Sequence, residues 1–225
     1  MDESLKLIVT GDGSHTIYVP GLNETYHSVK GAIQESQYVF IKNGFLRLNS
    51  PFIRILEVGF GTGLNALLTY RAAKQNGVKV EYAAVEKFPL AVSILQSLNY
   101  TKCAGLEEFD ALFTRLHEAP WNRFVKIDEY FRLKKLHTDI HEYRSEEQYG
   151  LIYFDAFAPS KQPDMWMEEI FTNIIDRLEP GGIFCTYSAT GRLKRTLKTL
   201  GLNVQTLPGP PGKKEMVMAI KKETE

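Results

Sequence analysis

The sequence predicts an α/β fold: a mostly parallel sheet with helices on both faces, an antiparallel C-terminal edge and a small N-terminal cap. Three observations predict it. A strand pattern, Ile53–Phe60, runs into a glycine loop and then into a helical pattern, Leu64–Gln75. From there strand and helix patterns alternate, which calls for parallel strands joined by crossover helices. Two strand patterns in a row, 202–209 and 213–221, close the chain and pair as an antiparallel edge.

The elements follow in order. Residues 1–50 read as the cap: strands at Leu5–Thr10 and His15–Val19, turns at Gly11–Gly13 and Pro20-Gly21, and helical spacing over Ser28–Phe40. Residues 51–225 read as the main domain. After the first strand–loop–helix unit come a strand at Val78–Glu86 and a helix at Pro89–Leu98. Segments 123–131 and 132–140 form a hairpin ending near Asp139. Tyr149–Phe157 is a strand, Met167–Leu178 a helix stopped by Glu179-Pro-Gly-Gly182, Gly182–Ser188 a strand and Gly191–Leu200 a helix.

Composition narrows the class. The chain has 225 residues, 44% hydrophobic and 24% charged, which suits one globular α/β domain with a small appendage. No apolar stretch approaches the roughly 18–20 residues of a membrane span, and the N-terminus lacks a signal-peptide pattern. Two distant cysteines, Cys103 and Cys185, fit a reduced, cytoplasmic protein. Five histidines show no metal spacing, so no metal is expected. Basic and acidic residues balance at 27 each, but unevenly: residues 187–225 hold eight bases against three acids. That segment is either a solvated face or a patch for an anionic partner.

The glycine loop, Leu56-Glu-Val-Gly-Phe-Gly-Thr-Gly-Leu-Asn65, is built for a ligand. Gly59, Gly61 and Gly63 let the backbone turn tightly, and the following helix aims its N-terminus at what lies there. Taken alone, the loop fits a dinucleotide fingerprint equally well. Glu57 disfavours a pyrophosphate, because it sets negative charge beside negative charge, and suits a ligand bearing an amino group. Glu86, ending the next strand, can take both hydroxyls of a ribose. Together they fit S-adenosylmethionine, which has a ribose, an ammonium, a sulfonium and no phosphate. Asp139, ending a third strand, is placed for an adenine amino group or is a simple strand-end aspartate.

A second stretch, Phe154-Asp-Ala-Phe-Ala-Pro-Ser-Lys-Gln-Pro-Asp-Met-Trp166, ends a greasy strand on a charge and continues as a stiff apolar loop. A mere connector would be polar and variable. Pro159 and Pro163 reduce its entropy. Asp164 reads as an N-cap for the next helix.

Taken in order, "GFGTGLN", "EKFP" (86–89), "DAFAPSKQPDMW", "PGG" (180–182), "YSATGRLKRTL" (187–197) and "GKKEM" (212–216) closely resemble the methyltransferase half of the bacterial MnmC-like enzymes of tRNA wobble-uridine modification. "SVKGAIQESQYVF" (28–40) resembles that family's N-terminal segment, so the likeness spans roughly residues 20–220. The resemblance implies a class I S-adenosylmethionine-dependent methyltransferase fold. It implies N-methylation of the aminomethyl group of 5-aminomethyl-(2-thio)uridine at the wobble position. Glu57, Gly59, Phe60, Gly61, Gly63, Asn65, Glu86, Lys87 and Asp139 then fall at the cofactor, with Asp155 at the reacting centre and also touching the cofactor. Two departures are mild: Ala156 stands where many relatives have glycine, and Gln162 where they have asparagine. The two-domain relatives carry an FAD-dependent oxidase, for which this chain has no second glycine fingerprint, so methyl transfer without FAD is expected, with a functional link to the enzyme that makes the amine.

Within that reading the chemistry can be sized. An amine of lysine-like pKa costs roughly 4–5 kcal/mol to deprotonate at pH 7. An unperturbed aspartate, pKa about 3.9, is a poor base there, so Asp155 is expected to orient an N–H unless its pKa is strongly raised. Phe157 and Trp166 can wall the pocket or stack on the uracil, although Trp166 can equally cap a helix. Pro159 stiffens that wall, and Lys161 can reach a phosphate or be solvated. Ser188, Lys194, Arg195, Lys213 and Lys214 follow the sheet's carboxyl edge and are candidate contacts to the anticodon stem-loop, through phosphates rather than bases. The rivals are a methyltransferase of small-molecule amines, an aminopropyltransferase relative, a nicotinamide-dependent oxidoreductase and a non-catalytic binding module.

Overall fold

The computed structural model describes residues 5–103 and 105–223. β1 (Lys6–Val9), β2 (His15–Val19) and β3 (Glu24–Thr25) form a small antiparallel sheet. α1 (Ala32–Ser36) continues as a π-helical turn, Gln37–Lys42. The helix starts later than its spacing predicts, because Ser28–Gly31 closes a turn through Gly31 N–H to the Ser28 carbonyl at 3.1 Å.

β4 (Phe52–Val58), α2 (Leu64–Asn76) and β5 (Lys79–Glu86) stand where expected. α2 ends at Gly77, whose φ of 66° is left-handed and closes the helix. The helix expected over Pro89–Leu98 shrinks to a single turn, α3 (Val92–Leu95). None of its residues is fully buried; only Ile94 and Leu95 pack partly against the core, which gives a longer helix little support. α4 (Asp110–Glu118), unpredicted, is held by Phe113 and Leu116 on its buried side. β6 (Phe124–Lys126) and β7 (Phe131–His137) make the expected antiparallel hairpin. β8 (Tyr149–Phe154) and α5 (Glu168–Asp176) follow. β9 (Leu178–Thr186) begins before Pro180-Gly-Gly182 rather than after it. Those residues are absorbed as a register irregularity against β8. α6 (Gly191–Thr199) is capped by the Thr190 hydroxyl, which accepts from Leu193 N–H at 3.3 Å. β10 (Leu202–Pro208) and β11 (Glu215–Lys221) close the chain.

The main sheet has eight strands in the order β10-β11-β9-β8-β4-β5-β7-β6. The five strands from β9 to β7 run parallel. β11 is antiparallel to both of its neighbours, as the terminal pair predicts, and β6 adds an antiparallel edge at the far end.

Period-two alternation sorts the strand residues between two cores. Ile55, Tyr82, Leu133, Tyr153 and Cys185 face α2 and α4. Leu56, Val85, Phe154 and Phe184 face α5 and α6. Ile17, Val39, Phe40 and Phe45 join the α2-side core, so the N-terminal segment and the sheet share one interior. Among the described residues no helix is long and apolar enough to cross a membrane.

Candidate active site

The same alternation gathers the carboxylates. Glu57 lies two residues beyond Ile55, Glu86 two beyond Ala84 and Asp155 two beyond Tyr153, so all three point to the α2 side at the carboxyl ends of adjacent parallel strands. There a cleft of about 330 Å³ opens, within the range of small-molecule sites.

Gly59 makes the junction possible. Its φ is +93°, and a Cβ there would stand 2.6 Å from the Asp155 carbonyl oxygen. Only glycine lets the loop after β4 cross so close to the loop after β8. Glu86 then fixes the loop: one carboxylate oxygen accepts from Gly61 N–H at 2.9 Å, the other from Phe88 N–H at 2.8 Å.

Asn65, in the first turn of α2, bridges the deeper pair. Its Nδ2 donates to Glu57 at 2.9 Å and to Asp155 Oδ2 at 2.8 Å. Its Oδ1 is buried and has no partner, and the same holds for Glu57 Oε2. Glu57 is fully buried and does not line the cleft. Burial pushes its pKa well above the ordinary value, with the Asp155 charge adding to the rise against the Asn65 hydrogen bond. The sequence argument gave Glu57 a charge that repels phosphate. Burial in the fold opposes that charge, and Glu57 accepts from Asn65 behind the cleft wall.

Asp155 sits on the cleft wall. Burial first, then the Glu35 carboxylate, raise its pKa to about 7, against the Asn65 hydrogen bond and the Lys213 charge. That rise is the condition under which a role as base stands beside orientation. At the other end, Asp139 pairs with Lys87 Nζ at 2.6 Å and His141 Nδ1 at 2.7 Å. Its desolvation works upward, but those partners outweigh it and hold the carboxyl well below the usual range.

Phe60, Gly61, Lys87 and Phe157 line the cleft; Gly63, Pro159, Lys161 and Ser188 do not. Trp166 is also off the wall, a correction with a clear reason. Its indole is buried against Phe154 and Phe171, and its Nε1 donates to the Phe157 carbonyl at 2.8 Å. It anchors the loop rather than facing a ligand. Asp164 lies inside a 3-10 turn, Pro163–Trp166, and Met167 takes the N-cap of α5, so the expected aspartate cap is absent. Among the basics, Arg195 and Lys214 are exposed. Lys194 is paired with Glu215 at 2.9 Å, and Lys213 turns inward to Glu35.

Sequence reasoning missed the roof. Residues 24–29 cross above the glycine loop and line the cleft. His27 is buried and pinned to the Thr62 hydroxyl at 2.8 Å; desolvation lowers its pKa to about 4, so it is neutral. Tyr26 meets the Phe157 ring edge-on at 5.1 Å. Tyr187 hydroxyl donates to the Ala156 carbonyl at 2.7 Å and lines the opposite wall. One signal was legible. Ala32, Glu35, Ser36 and Val39 share one helical stripe, and an acid in such a stripe is out of place unless partnered.

Known proteins resolve the ligand choice. A family described as S-adenosyl-L-methionine-dependent methyltransferase matches residues 106–222, just over half of the chain. The chain belongs to that family. The cofactor is S-adenosylmethionine, and the nicotinamide reading falls. The site suits it: the unpartnered Asn65 Oδ1 can accept from its ammonium, and Glu86 retains acceptor capacity for a diol.

The chain is also similar to the "tRNA 5-methylaminomethyl-2-thiouridine biosynthesis bifunctional protein MnmC" of Pseudoalteromonas atlantica, 30% identical over 88% of this chain and 31% of that protein. The protein of the same name in Idiomarina loihiensis is 30% identical over 87% of this chain and 35% of that protein. The chain thus spans about a third of the length of these relatives. Among solved structures, MnmC2 from Aquifex aeolicus superposes with a TM-score of 0.82 at 26% identity, covering all of this chain and 72% of that one. Spermidine synthase from Thermotoga maritima, TM-score 0.57 and 14% identity over 98% of this chain and 74% of that one, shares the fold alone.

Proposed function

We propose that this methyltransferase N-methylates the aminomethyl group of 5-aminomethyl-(2-thio)uridine at the tRNA wobble position, in the cytoplasm. The carrying observation is Asp155, an aspartate on the cleft wall with a pKa of about 7. The likeness to the MnmC proteins supports the choice of substrate.

S-adenosylmethionine, when bound, supplies an electrophilic methyl group. The chain's own residues handle the amine. Asp155 Oδ2 is held by Asn65, which leaves Oδ1 for an incoming N–H. With its pKa near operating pH, Asp155 can take the amine's proton as well as orient it, and such a base is worth roughly 10²–10⁴-fold. Glu86, the Gly59–Gly63 loop, Lys87 and Asp139 serve the nucleoside end, and Phe157 and Tyr26 close over the cleft. Arg195, Lys214 and Lys161 serve the phosphates of the anticodon stem-loop, so binding is salt-sensitive. The aminomethyl-uridine is the product of a different reaction, to whose enzyme this methyl transfer is functionally linked.

Nucleoside mass spectrometry tests this. Purified protein is incubated with S-adenosylmethionine and tRNA containing the aminomethyl precursor. The expected result is one added methyl group on that nucleoside, absent with Asp155→Ala. Cofactor binding with no change in any tRNA nucleoside would overturn the tRNA reading and point to small amines.

A further inference from the structure

A further carboxylate stands in the cleft wall, Glu35, and the reaction as described does not use it. Glu35, on α1, is 5% exposed. One of its oxygens accepts from Ser28 N–H at 2.9 Å in the roof, and the other accepts from Lys213 Nζ. Lys213 comes from the turn between β10 and β11, far away in sequence. Its ammonium lies 3.6 Å from the centroid of the Tyr187 ring, and Tyr187 in turn holds the Ala156 carbonyl beside Asp155. Glu35, Lys213, Tyr187 and Asp155 all line the same cleft. A buried carboxylate and an ammonium on a ring face are costly to assemble, and breaking either side leaves an unpaired buried charge. A pair placed there only to join two loops could have been apolar.

The other groups that sense Asp155 are Glu57 on β4, Tyr82 on β5, Tyr100, and Cys185 and Tyr187 at the end of β9. Burial pushes the pKa of every one of them upward, so each is biased to its neutral form. Glu35 and Lys213 are the two charged groups acting on Asp155, and they act in opposite directions.

Resting on the proposed function, we infer that Glu35 is a positioning residue for methyl transfer: clasped to Lys213 across the mouth of the cleft, it keeps Asp155 basic enough to take the amine's proton. Lys213 is then the counterweight of Glu35 rather than a phosphate contact. Neither residue touches the transferred methyl group. Their effect is on where, along the pH axis, Asp155 becomes competent.

The test is the pH profile of kcat/KM for tRNA methylation by the full chain, with Glu35→Gln, Lys213→Met and Glu35→Asp beside the wild type. Loss of the Glu35 charge should move the acid limb to lower pH. Loss of the Lys213 charge should move it to higher pH, each by roughly half a unit or more. Glu35→Asp, which keeps the charge, should restore the wild-type position. A merely structural clasp would lower activity without displacing the limbs in opposite directions. Coincident limbs, or limbs moving together, would overturn the inference. Should Glu35→Gln not fold, as judged by S-adenosylhomocysteine binding, Lys213→Met alone decides the sign. Infrared titration of the Asp155 carboxyl, assigned against Asp155→Asn, reads the same displacements without tRNA. If the wild type methylates no tRNA, the proposed function falls, and this titration still judges the pair.

Discussion

The two ends of the cleft each present an aspartate just past a parallel strand, and the two aspartates behave oppositely. Asp139 follows β7, meets Lys87 and His141, and is held anionic. Asp155 follows β8, lies against Gly59 and Asn65, and is drawn to a pKa of about 7. One is held as an acceptor, and the other is the group we propose takes the amine's proton. Residue type is the same and both follow the end of a parallel strand by one or two residues, so the difference lies in what the rest of the chain sets beside each. At Asp139 desolvation is outweighed by the hydrogen bonds from Lys87 and His141 together with the Lys87 charge. At Asp155 a like charge reinforces it.

The largest effect should come from the proton-exchanging end. Asp155→Asn should reduce methyl transfer by roughly 10²–10⁴-fold while cofactor affinity changes far less. Single-turnover nucleoside analysis together with cofactor titration separates the two. Equal losses in both would erase the functional contrast between the ends. Next is the anchor beneath that end. Trp166→Ala removes a buried indole and its hydrogen bond and should destabilise the fold by about 3–5 kcal/mol in denaturant unfolding. If Trp166 served the ligand instead, stability would hold and activity alone would drop. Glu86→Ala, at the nucleoside end, should weaken S-adenosylhomocysteine binding about 10-fold or more, since charged hydrogen bonds are worth roughly 1.5–3 kcal/mol.

Proton linkage sharpens the same contrast. The folded pKa of Asp155 lies above its ordinary value. Its contribution to stability is therefore fully present below about pH 4 and is lost as pH rises to 7. Asp155→Asn should gain stability relative to wild type progressively across that window, and melting both proteins from pH 4.5 to 7.5 checks it. Asp139 has the opposite sign: its contribution is present above about pH 4 and fades only in stronger acid. A flat difference between Asp155→Asn and the wild type would mean that Asp155 is an ordinary anion. The smallest effect belongs to the exposed basics. Arg195→Ala and Lys214→Ala should each lower the salt slope of tRNA binding by about one, with no change in cofactor affinity.

Much of this was legible in the sequence because it is local. The strand–glycine–helix unit, Glu86 at the end of β5 and Asp155 at the end of β8 follow from short patterns with fixed periods. A period of two even fixes which face Glu57, Glu86 and Asp155 share. Weak elements were misjudged where packing, rather than propensity, decides. α3 is a single turn that buries none of its own residues, while α4 exists because Phe113 and Leu116 find a core.

By itself, then, the sequence determined the α/β class, the parallel centre with its antiparallel terminal pair, and the glycine loop that ends the first parallel strand. Only the tertiary structure decided the charges. Burial raises the pKa of Glu57, Trp166 is drawn into the core, and Lys213 is turned inward to Glu35. Side-chain electrostatics depend on desolvation and on partners many residues away: Asn65 reaches Asp155 across 90 positions and Lys213 reaches Glu35 across 178. No local pattern encodes those distances, because they exist only once the sheet has closed and the N-terminal segment has folded over its carboxyl edge.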